Sequence, residues 1–388
     1  MLKVPHIPVL AVGWVFLAFT ISTQASNPAD IFADCKVDWL DLKMLGDDWL
    51  WTGPSAADID NSGDVNFPDF AILANNWGWT CPPPEMVLIL GGSFQMGDSK
   101  GEGSSAEIPV HTVTLDSFYM GKYEVTNAQY CQYLNSALDL GLVTVTNGVV
   151  YGSGNNQPYC DTHIYNDSQI DYSGGVFSVR TKGSRSMSND PTIMVTWYGS
   201  VAYCNWRSQQ EGKEVCYDLN DPNWQCDFTK HGYRLPTEAQ WEYVARGGLS
   251  GKRFPWGDTI SHTQANYYSD SIYSYDISPT RGYHPIWNDG TYPYTSPVGS
   301  FSGNGYGLCD MAGNAWEWCY DRYSSTYYST TPYPHVNPTG PTSGSWRVIR
   351  GGGWNTYANG CRVASRGGTG VYPYNWYNCL GFRLSLDF

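Results

Sequence analysis

The stretch NGYGLCDMAGNAWEW, Asn304–Trp318, decides the fold. It carries two acids, Asp310 and Glu317, on either side of a Gly-Asn turn. Such a turn lets carboxylate and carbonyl oxygens converge on one hard cation such as Ca²⁺, although acids hydrogen-bonded to backbone amides would give the same pattern. Trp316 and Trp318 alternate with Glu317, and we expect both indoles to pack in the core beside this turn. The segment therefore predicts a core organised by ions and tryptophans.

The composition indicates a turn-rich protein. The 388 residues include 42 Gly, 23 Pro, 30 Tyr and 17 Trp, which favours loops fixed by aromatic packing over a bundle of long helices. The formal net charge of −14 leaves no basic stripe that could displace counterions, so nucleic acid is excluded as a partner. The acidity suits calcium binding, but it would also serve simply to keep a secreted protein soluble.

The first residues have the order of a secretory signal peptide. Lys3 precedes the apolar run IPVLAVGWVFLAFTI, and the small residues STQAS follow it. This order predicts a signal peptide over residues 1–25, cleaved after Ala25. We therefore expect a secreted, extracytoplasmic protein that has no membrane association after cleavage.

Eleven cysteines remain after that cleavage, and export makes disulfides possible. Their odd number leaves at least one thiol unpaired or pairing between chains. Cys216 and Cys226 flank a polar loop and are the expected local disulfide. The other pairings are not readable from the sequence.

An internal repeat follows the signal peptide. The segment DWLDLKMLGDDWLWTG (38–53) recurs as NFPDFAILANNWGWTC (66–81), which indicates a duplicated loop-helix unit. In front of the second copy, DIDNSGDVNFPD fits an EF-hand-type calcium loop with ligands at Asp58, Asp60, Ser62, the Asp64 carbonyl, Asn66 and Asp69. In the first copy, Phe32 and Cys35 replace an oxygen ligand and the turn glycine, so calcium binding there stays open.

The duplicated unit resembles a dockerin over residues 26–80. The resemblance implies a small all-α calcium-loop module that docks onto a cohesin-like partner. CPPPE, residues 81–85, is typical of a stiff Pro-rich linker. The remaining residues, 86–388, form the second predicted domain.

From Met86 onward, MVLIL and VHTVTL predict short strands. Helix starts are predicted at Thr126, Thr196 and Thr237, of which the first and last begin a Thr-x-x-Gln capping box. After Gly248 no long helix is expected. Regular hydrogen-bond ladders cannot hold that segment, so bound ions and buried tryptophans are the candidates.

The large domain carries an ordered series of motifs: FQMG, PVHTVTLDSFYMGKYEVTNAQY, PTIMVTWYGSVAYCNW, YRLPTEAQWEYVARGG, FPWGD, PVGSF, NGYGLCDMAGNAWEW, RVIRGGGW and LGFR. In this order they resemble the formylglycine-generating enzymes, the sulfatase-modifying factor family, over about 86–386. The resemblance implies an α+β fold, a largely irregular variant of the C-type-lectin fold.

The resemblance also implies two calcium sites. The first would use Asp310, Glu317 and the carbonyls of Gly313 and Ala315. The second would use Asn266, Asp289 and the carbonyls of Tyr267 and Thr291. The alternative for each set is a buried carboxylate that accepts hydrogen bonds from backbone amides.

Members of this family oxidise a substrate cysteine with oxygen, using copper held by two thiolates. Their pattern is Gly-Gly-Ser-aromatic-x-Cys, followed by a second Cys. In RGGGWNTYANGC, Arg350–Cys361, Gly353 stands at the Ser position and Thr356 at the first Cys position. Cys361 is then the surviving candidate for a catalytic thiol, with a structural role as the alternative. Copper is not an expected cofactor, because a hydroxyl cannot replace a thiolate on Cu(I).

What remains is a predicted groove, with Arg350, Trp354, Asn355 and Arg366 along the edge where relatives receive an extended peptide. It predicts a calcium-binding module that binds peptide or glycan and has lost the oxidase activity. The alternative is a formylglycine-generating oxidase that converts a sulfatase cysteine to formylglycine, using a second thiol brought near Cys361 from another loop.

Overall fold

The computed structural model describes residues 85–163, 167–182, 184–330 and 335–387, together with Leu45, Val65 and Asn66. The chain divides into two compact units, Met1–Pro83 and Pro84–Phe388. The signal peptide and five of the predicted calcium-loop ligands, Asp58, Asp60, Ser62, Asp64 and Asp69, lie outside the described residues. Within the described ranges, no helix is long and apolar enough to cross a membrane.

The predicted helix starts are confirmed. In the described residues from 85 onward, the helices are α1 (Asn127–Asp139), α2 (Trp197–Gln210), α3 (Glu238–Ala245) and α4 (Tyr327–Thr330). Thr126, Thr196 and Thr237 are the N-caps of the first three, and each side chain accepts a hydrogen bond from the first helical turn. In the part of the chain described after position 248, α4 is the longest helix, as the composition predicts.

The strands are short, and the longest has seven residues. They are β1 (Met86–Ile89), β2 (Gly92–Met96), β3 (His111–Leu115), β4 (Phe118–Gly121), β5 (Val143–Thr146), β6 (Val149–Gly152), β7 (Pro158–Asp161), β8 (Ile170–Ser173), β9 (Val176–Val179), β10 (Thr181–Lys182), β11 (Arg185–Ser186), β12 (Tyr233–Arg234), β13 (Trp316–Arg322), β14 (His335–Val336), β15 (Arg347–Arg350), β16 (Leu380–Gly381) and β17 (Ser385–Leu386). The predicted, largely irregular α+β fold of this domain is therefore confirmed.

The strands form several small sheets. The largest has the order β1-β4-β17-β12 and is antiparallel throughout. A second sheet has the order β15-β13-β16. It joins the Asn304–Trp318 stretch to the motifs RVIRGGGW and LGFR. Within it, Glu317 pairs with Arg350 across β15 and with Gly381 across β16. This small sheet brings the turn after Asp310 and the loop after Arg350 to one place.

Large aromatic and charged side chains fill the interior. Trp197, Trp241 and Trp318 are fully buried, and the indole N–H of each donates to a backbone carbonyl or a carboxylate. Guanidinium groups are buried with partners: Arg383 makes two hydrogen bonds, of 2.6 and 2.7 Å, to the Glu317 carboxylate. Burying a charge is costly without such pairing, and each of these guanidinium groups has its partners within the fold.

Candidate functional site

The loop that follows β15 is held by the hydroxyl of Thr356. Its Oγ1 accepts hydrogen bonds of 2.9 Å from the backbone N–H of Gly353 and from the indole Nε1–H of Trp316. Thr356 is the residue at the position of the first copper-binding cysteine in the family pattern. As a metal ligand its oxygen would be hard. In this structure it accepts hydrogen bonds that close the loop. The residues at this position do not fit a copper site with two thiolates.

Cys361, the candidate catalytic thiol, is fully buried, with 0% of its surface exposed. It lies in a small apolar cluster with Phe254, Ile260 and Ala358. Burial raises the pKa of the thiol, which disfavours the thiolate that nucleophilic or copper chemistry would need. An ideal Cβ on Gly352 would lie 2.7 Å from its Sγ, so the loop backbone packs directly on the sulfur.

The described cysteines are all free thiols in this structure. Cys216 and Cys226 nevertheless lie side by side, because Tyr217 pairs with Cys226 in an isolated antiparallel bridge. A hydrogen bond from the Cys226 thiol lowers the pKa of Cys216. The disulfide between them stays a prediction, with its two sulfurs already neighbours.

The predicted groove needs correction. Arg350 is fully buried and bonds to the carboxylate of Glu242 and to the Ala364 carbonyl. Arg366 is also buried, with hydrogen bonds of 2.6 and 2.8 Å to Glu238. Both guanidinium groups neutralise acids of α3, so neither faces a ligand.

The two remaining groove residues behave differently from each other. Trp354 is only 2% exposed, and its Nε1–H donates to the Asn378 carbonyl at 2.8 Å. Of the four residues predicted to form the groove, only Asn355 is exposed to solvent. The surface at this rim must therefore be formed by other side chains.

Asp310 is the member of the first predicted calcium set whose carboxylate is incompletely satisfied. This residue has a φ of 59°, and its Oδ2 accepts a hydrogen bond of 2.6 Å from the Gly299 N–H. Its Oδ1 is buried without a hydrogen-bond partner. Burial raises the pKa of Asp310 to about 6. A buried carboxylate oxygen left without a donor is the condition that a bound cation would relieve.

Glu124 was missed by the sequence analysis. It precedes α1 and is buried, its Oε1 accepts a 3.1 Å hydrogen bond from Asn314 Nδ2, and its Oε2 has no partner. Burial and then the charge of Asp310 raise the pKa of Glu124 well above its usual value. Glu124 and Asp310 are thus two buried carboxylates that repel each other, and each has one oxygen without a hydrogen-bond partner.

Glu317 fits that cation less well, since Arg383 and the Trp241 indole already engage both of its oxygens. Within the described ranges, no three His, Cys, Asp or Glu side chains converge as a metal site. A calcium ion here would therefore depend on carbonyl oxygens as well, such as those predicted at Gly313 and Ala315.

The members of the second predicted set differ in exposure and in hydrogen bonding. Asp289 is exposed, and its Oδ1 lies 2.9 Å from the ammonium of Lys182. The Tyr267 carbonyl lies 3.1 Å from the imidazole Nε2 of His262. Thr291 is exposed and donates its N–H to the Asp289 carboxylate at 3.1 Å. Asp289 and the Tyr267 carbonyl are thus already engaged by groups of the protein.

Asn266 is the exception in this set. It is buried, its Nδ2 donates to the Tyr294 carbonyl at 2.8 Å, and its Oδ1 has no partner. Its own carbonyl accepts a 2.7 Å hydrogen bond from the N–H of Asn314. Asn266 therefore adjoins the turn of the first set.

Seven tyrosines beside Thr356 form a continuous chain of ring contacts. We define this tyrosine ladder as Tyr294, Tyr292, Tyr283, Tyr268, Tyr357, Tyr273 and Tyr275. Successive ring centroids lie 4.7, 6.0, 4.8, 5.2, 6.3 and 5.6 Å apart. Tyr292 and Tyr357 are 44% and 43% exposed. The abundance of tyrosine is visible in the sequence, but this chain of ring contacts is not, because its members come from separate segments.

Residues 78–388 match the family described as the sulfatase-modifying factor enzyme 1-like domain. The chain is 35% identical over 323 residues to a formylglycine-generating enzyme of Streptomyces coelicolor, covering 78% of this chain and 88% of that protein. It is 32% identical over 303 residues to the serine/threonine-protein kinase pkn1 of Chlamydia pneumoniae, but spans only 38% of that protein.

Among solved structures, Treponema denticola variable protein 1 has a similar fold. The TM-score is 0.54 at 26% sequence identity, and the match covers 78% of this chain and 95% of that one. Proteins with different names thus share this domain, so the fold alone does not assign an activity.

Proposed function

This chain belongs to the family of the sulfatase-modifying factor enzyme 1-like domain, and we propose that it is a secreted, calcium-stabilised binding module of that family without copper oxidase activity. The proposal assigns the large domain to recognition of an extended glycan or peptide. It assigns the preceding dockerin-like segment to calcium-dependent docking on a cohesin-like protein.

The observation that carries the proposal is the loop around Thr356. The position that needs a thiolate holds a hydroxyl that is already bonded to Gly353 and Trp316. The nearby thiol, Cys361, is buried in apolar surroundings and has a raised pKa. Cu(I) bound between two thiolates requires two accessible, ionisable sulfurs, so these residues give copper no support.

Calcium is supported by the bare oxygens of Asp310 and Glu124. With calcium bound, the charge would offset two repelling carboxylates and link the turn after Asp310 to the segment before α1. These residues would hold the ion together with carbonyls of the turn. In this proposal calcium serves structure, and it takes no part in a reaction.

The alternative candidate is a formylglycine-generating oxidase. The 35% identity to the Streptomyces coelicolor enzyme over most of both chains favours it. It would require a second free thiol close to Cys361, and an opening of the loop that covers this sulfur.

One assay separates the two functions. The reduced protein is titrated with Cu(I) and incubated with oxygen and a peptide that contains Cys-x-Pro-x-Arg, with the Streptomyces coelicolor enzyme as positive control. We expect no aldehyde on the peptide by mass spectrometry. Aldehyde formation above that of copper alone would overturn the proposed function and establish the alternative.

A further inference from the structure

Three rings of the tyrosine ladder pack against a buried tryptophan. The buried Trp354 ring lies 5.5, 5.4 and 5.3 Å from the rings of Tyr283, Tyr292 and Tyr294. Tyr283 and Tyr292 also share a 3.3 Å hydrogen bond between their hydroxyls. Rings that are already immobilised lose little conformational entropy when a ligand stacks on them, so the part of the ladder around Tyr292 is preorganised for binding.

The charges next to the ladder are neutralised within the protein. Lys182 lies 4.9 Å from the Tyr294 ring centroid and is paired with Asp289. Arg253 lies 4.9 Å from the Tyr275 ring centroid and is paired with Glu102. Because both cations have acidic partners and the whole chain carries a charge of −14, an anionic ligand would find no complementary charge here.

Some backbone N–H and carbonyl groups of the ladder segment are hydrogen-bonded within the protein. The Tyr268 N–H donates to the Thr356 carbonyl at 2.9 Å, and Ser269 exchanges two hydrogen bonds with Gly282. An extended peptide that binds as an added strand needs unpaired backbone groups, and these groups of Tyr268, Ser269 and Gly282 are already paired.

We propose that the tyrosine ladder binds a neutral polysaccharide, stacking sugar rings on its exposed tyrosines. This inference rests on the proposed binding function and narrows its ligand to one class. A sugar ring presents an apolar C–H face and hydroxyl groups, and tyrosine presents a ring face and one hydroxyl, so the two surfaces match without any charge. The two exposed rings, Tyr292 and Tyr357, could each stack on a sugar unit of one polymer.

The test is affinity electrophoresis of the full chain in native gels that contain soluble galactomannan, xyloglucan, arabinoxylan or mixed-linkage β-glucan. Polygalacturonate is the anionic comparison. We expect retardation by at least one neutral polymer and none by polygalacturonate. No retardation by any neutral polymer, or retardation by polygalacturonate alone, would overturn the inference.

The variants Tyr292→Ala and Tyr357→Ala remove the exposed rings, and we expect each to weaken retention roughly tenfold or more. Tyr357→Phe keeps the ring and should retain most of the binding. Tyr374→Ala is the matched control, because Tyr374 is 48% exposed and stacks on Tyr372, outside the ladder. Equal thermal unfolding of all variants verifies folding, and wild-type retention of the alanine variants would refute the ladder as the site.

Fluorescence anisotropy with the Cys-x-Pro-x-Arg peptide completes the experiment. Peptide binding that Tyr357→Ala weakens, with no polysaccharide retention, would assign the ladder to peptide and overturn the glycan inference. The failure of the proposed function is a separate result, since it appears as an aldehyde on the peptide whatever the gels show.

Discussion

The indole N–H of Trp316 donates a 2.9 Å hydrogen bond to the hydroxyl of Thr356. The two residues belong to different motifs: Trp316 begins β13, and Thr356 lies in the loop after β15. The bond joins these motifs at the position where family enzymes place a copper-binding thiolate. The first two predictions test what this contact does.

Replacing Thr356 with Val should lower the free energy of unfolding by about 1–2 kcal/mol, because the N–H groups of Gly353 and Trp316 both lose their acceptor. Thr356→Ser keeps the hydroxyl and should stay within about 0.5 kcal/mol of wild type. Urea denaturation followed by tryptophan fluorescence measures both. Equal stability of the Val and Ser variants would show that the hydroxyl does not hold the loop.

Replacing Thr356 with Cys should not create an oxidase. The new thiol would supply the first family cysteine, but Cys361 would stay buried under Gly352 with a raised pKa. We expect no aldehyde on the Cys-x-Pro-x-Arg peptide and no tight Cu(I) binding in competition with a chromogenic chelator. Aldehyde production by this variant would mean that the loop opens readily.

Calcium should stabilise the large unit through Asp310 and Glu124. At a calcium concentration of about one hundred times Kd, the gain would be about 2.7 kcal/mol, and EDTA would remove it. Asp310→Asn and Glu124→Gln should abolish the response while raising stability in EDTA, because each removes one of two repelling carboxylates. Scanning calorimetry with calcium or EDTA measures this. An undiminished calcium response in both variants would exclude this site.

Asp289 should have no part in that response, because Lys182 already neutralises it. Asp289→Asn should show the same calcium-dependent shift in Tm as wild type. Its stability in EDTA should fall by no more than about 1 kcal/mol, since the carboxylate is partly exposed and the ion pair is screened by solvent. The matched variant Lys182→Met should lose a similar amount. If Asp289→Asn bound one calcium ion fewer per chain than wild type, Asp289 would be a calcium ligand, as predicted for the second site.

The titration of Asp321 should lower the free energy of unfolding as the pH rises. Burial, and then the charge of Glu238, raises its pKa to about 7, against about 3.9 in an unfolded chain. Between about pH 4 and pH 7 the folded state keeps the proton and the unfolded state loses it, so the contribution of Asp321 to stability declines through that window and stays low above it.

Asp321→Asn removes this titration and keeps an oxygen for the 2.8 Å hydrogen bond from the Glu238 N–H. Its stability relative to wild type should therefore increase between pH 4 and pH 8 by about 2–4 kcal/mol. Urea unfolding at several pH values measures the difference. Parallel pH profiles for the two proteins would contradict the raised pKa.

Features encoded locally could be predicted from the sequence. The starts of α1, α2 and α3 each depend on a threonine and on N–H groups within one turn, and the caps at Thr126, Thr196 and Thr237 were predicted for that reason. The exchange of a cysteine for Thr356 was equally visible, because one position in one motif decides it.

Features that depend on distant partners could not be predicted. Arg350 was predicted to line the groove. It is buried instead, because it pairs with Glu242, which lies 108 positions away in the chain. Glu124 was missed because it lies 190 positions from Asn314, and only the fold brings it close to Asp310. Spacing within a motif carries no information about such pairs.

The four-stranded sheet sets an order of events during synthesis. β17 pairs with both β4 and β12, and Ser385 bonds to Tyr119 across 266 positions. At translation rates of about 5–20 residues per second, β4 must wait on the order of tens of seconds after leaving the ribosome before its neighbour exists. The nascent chain thus carries an incomplete sheet through most of elongation, in which β4 has β1 as a neighbour on one side and an unpaired edge on the other.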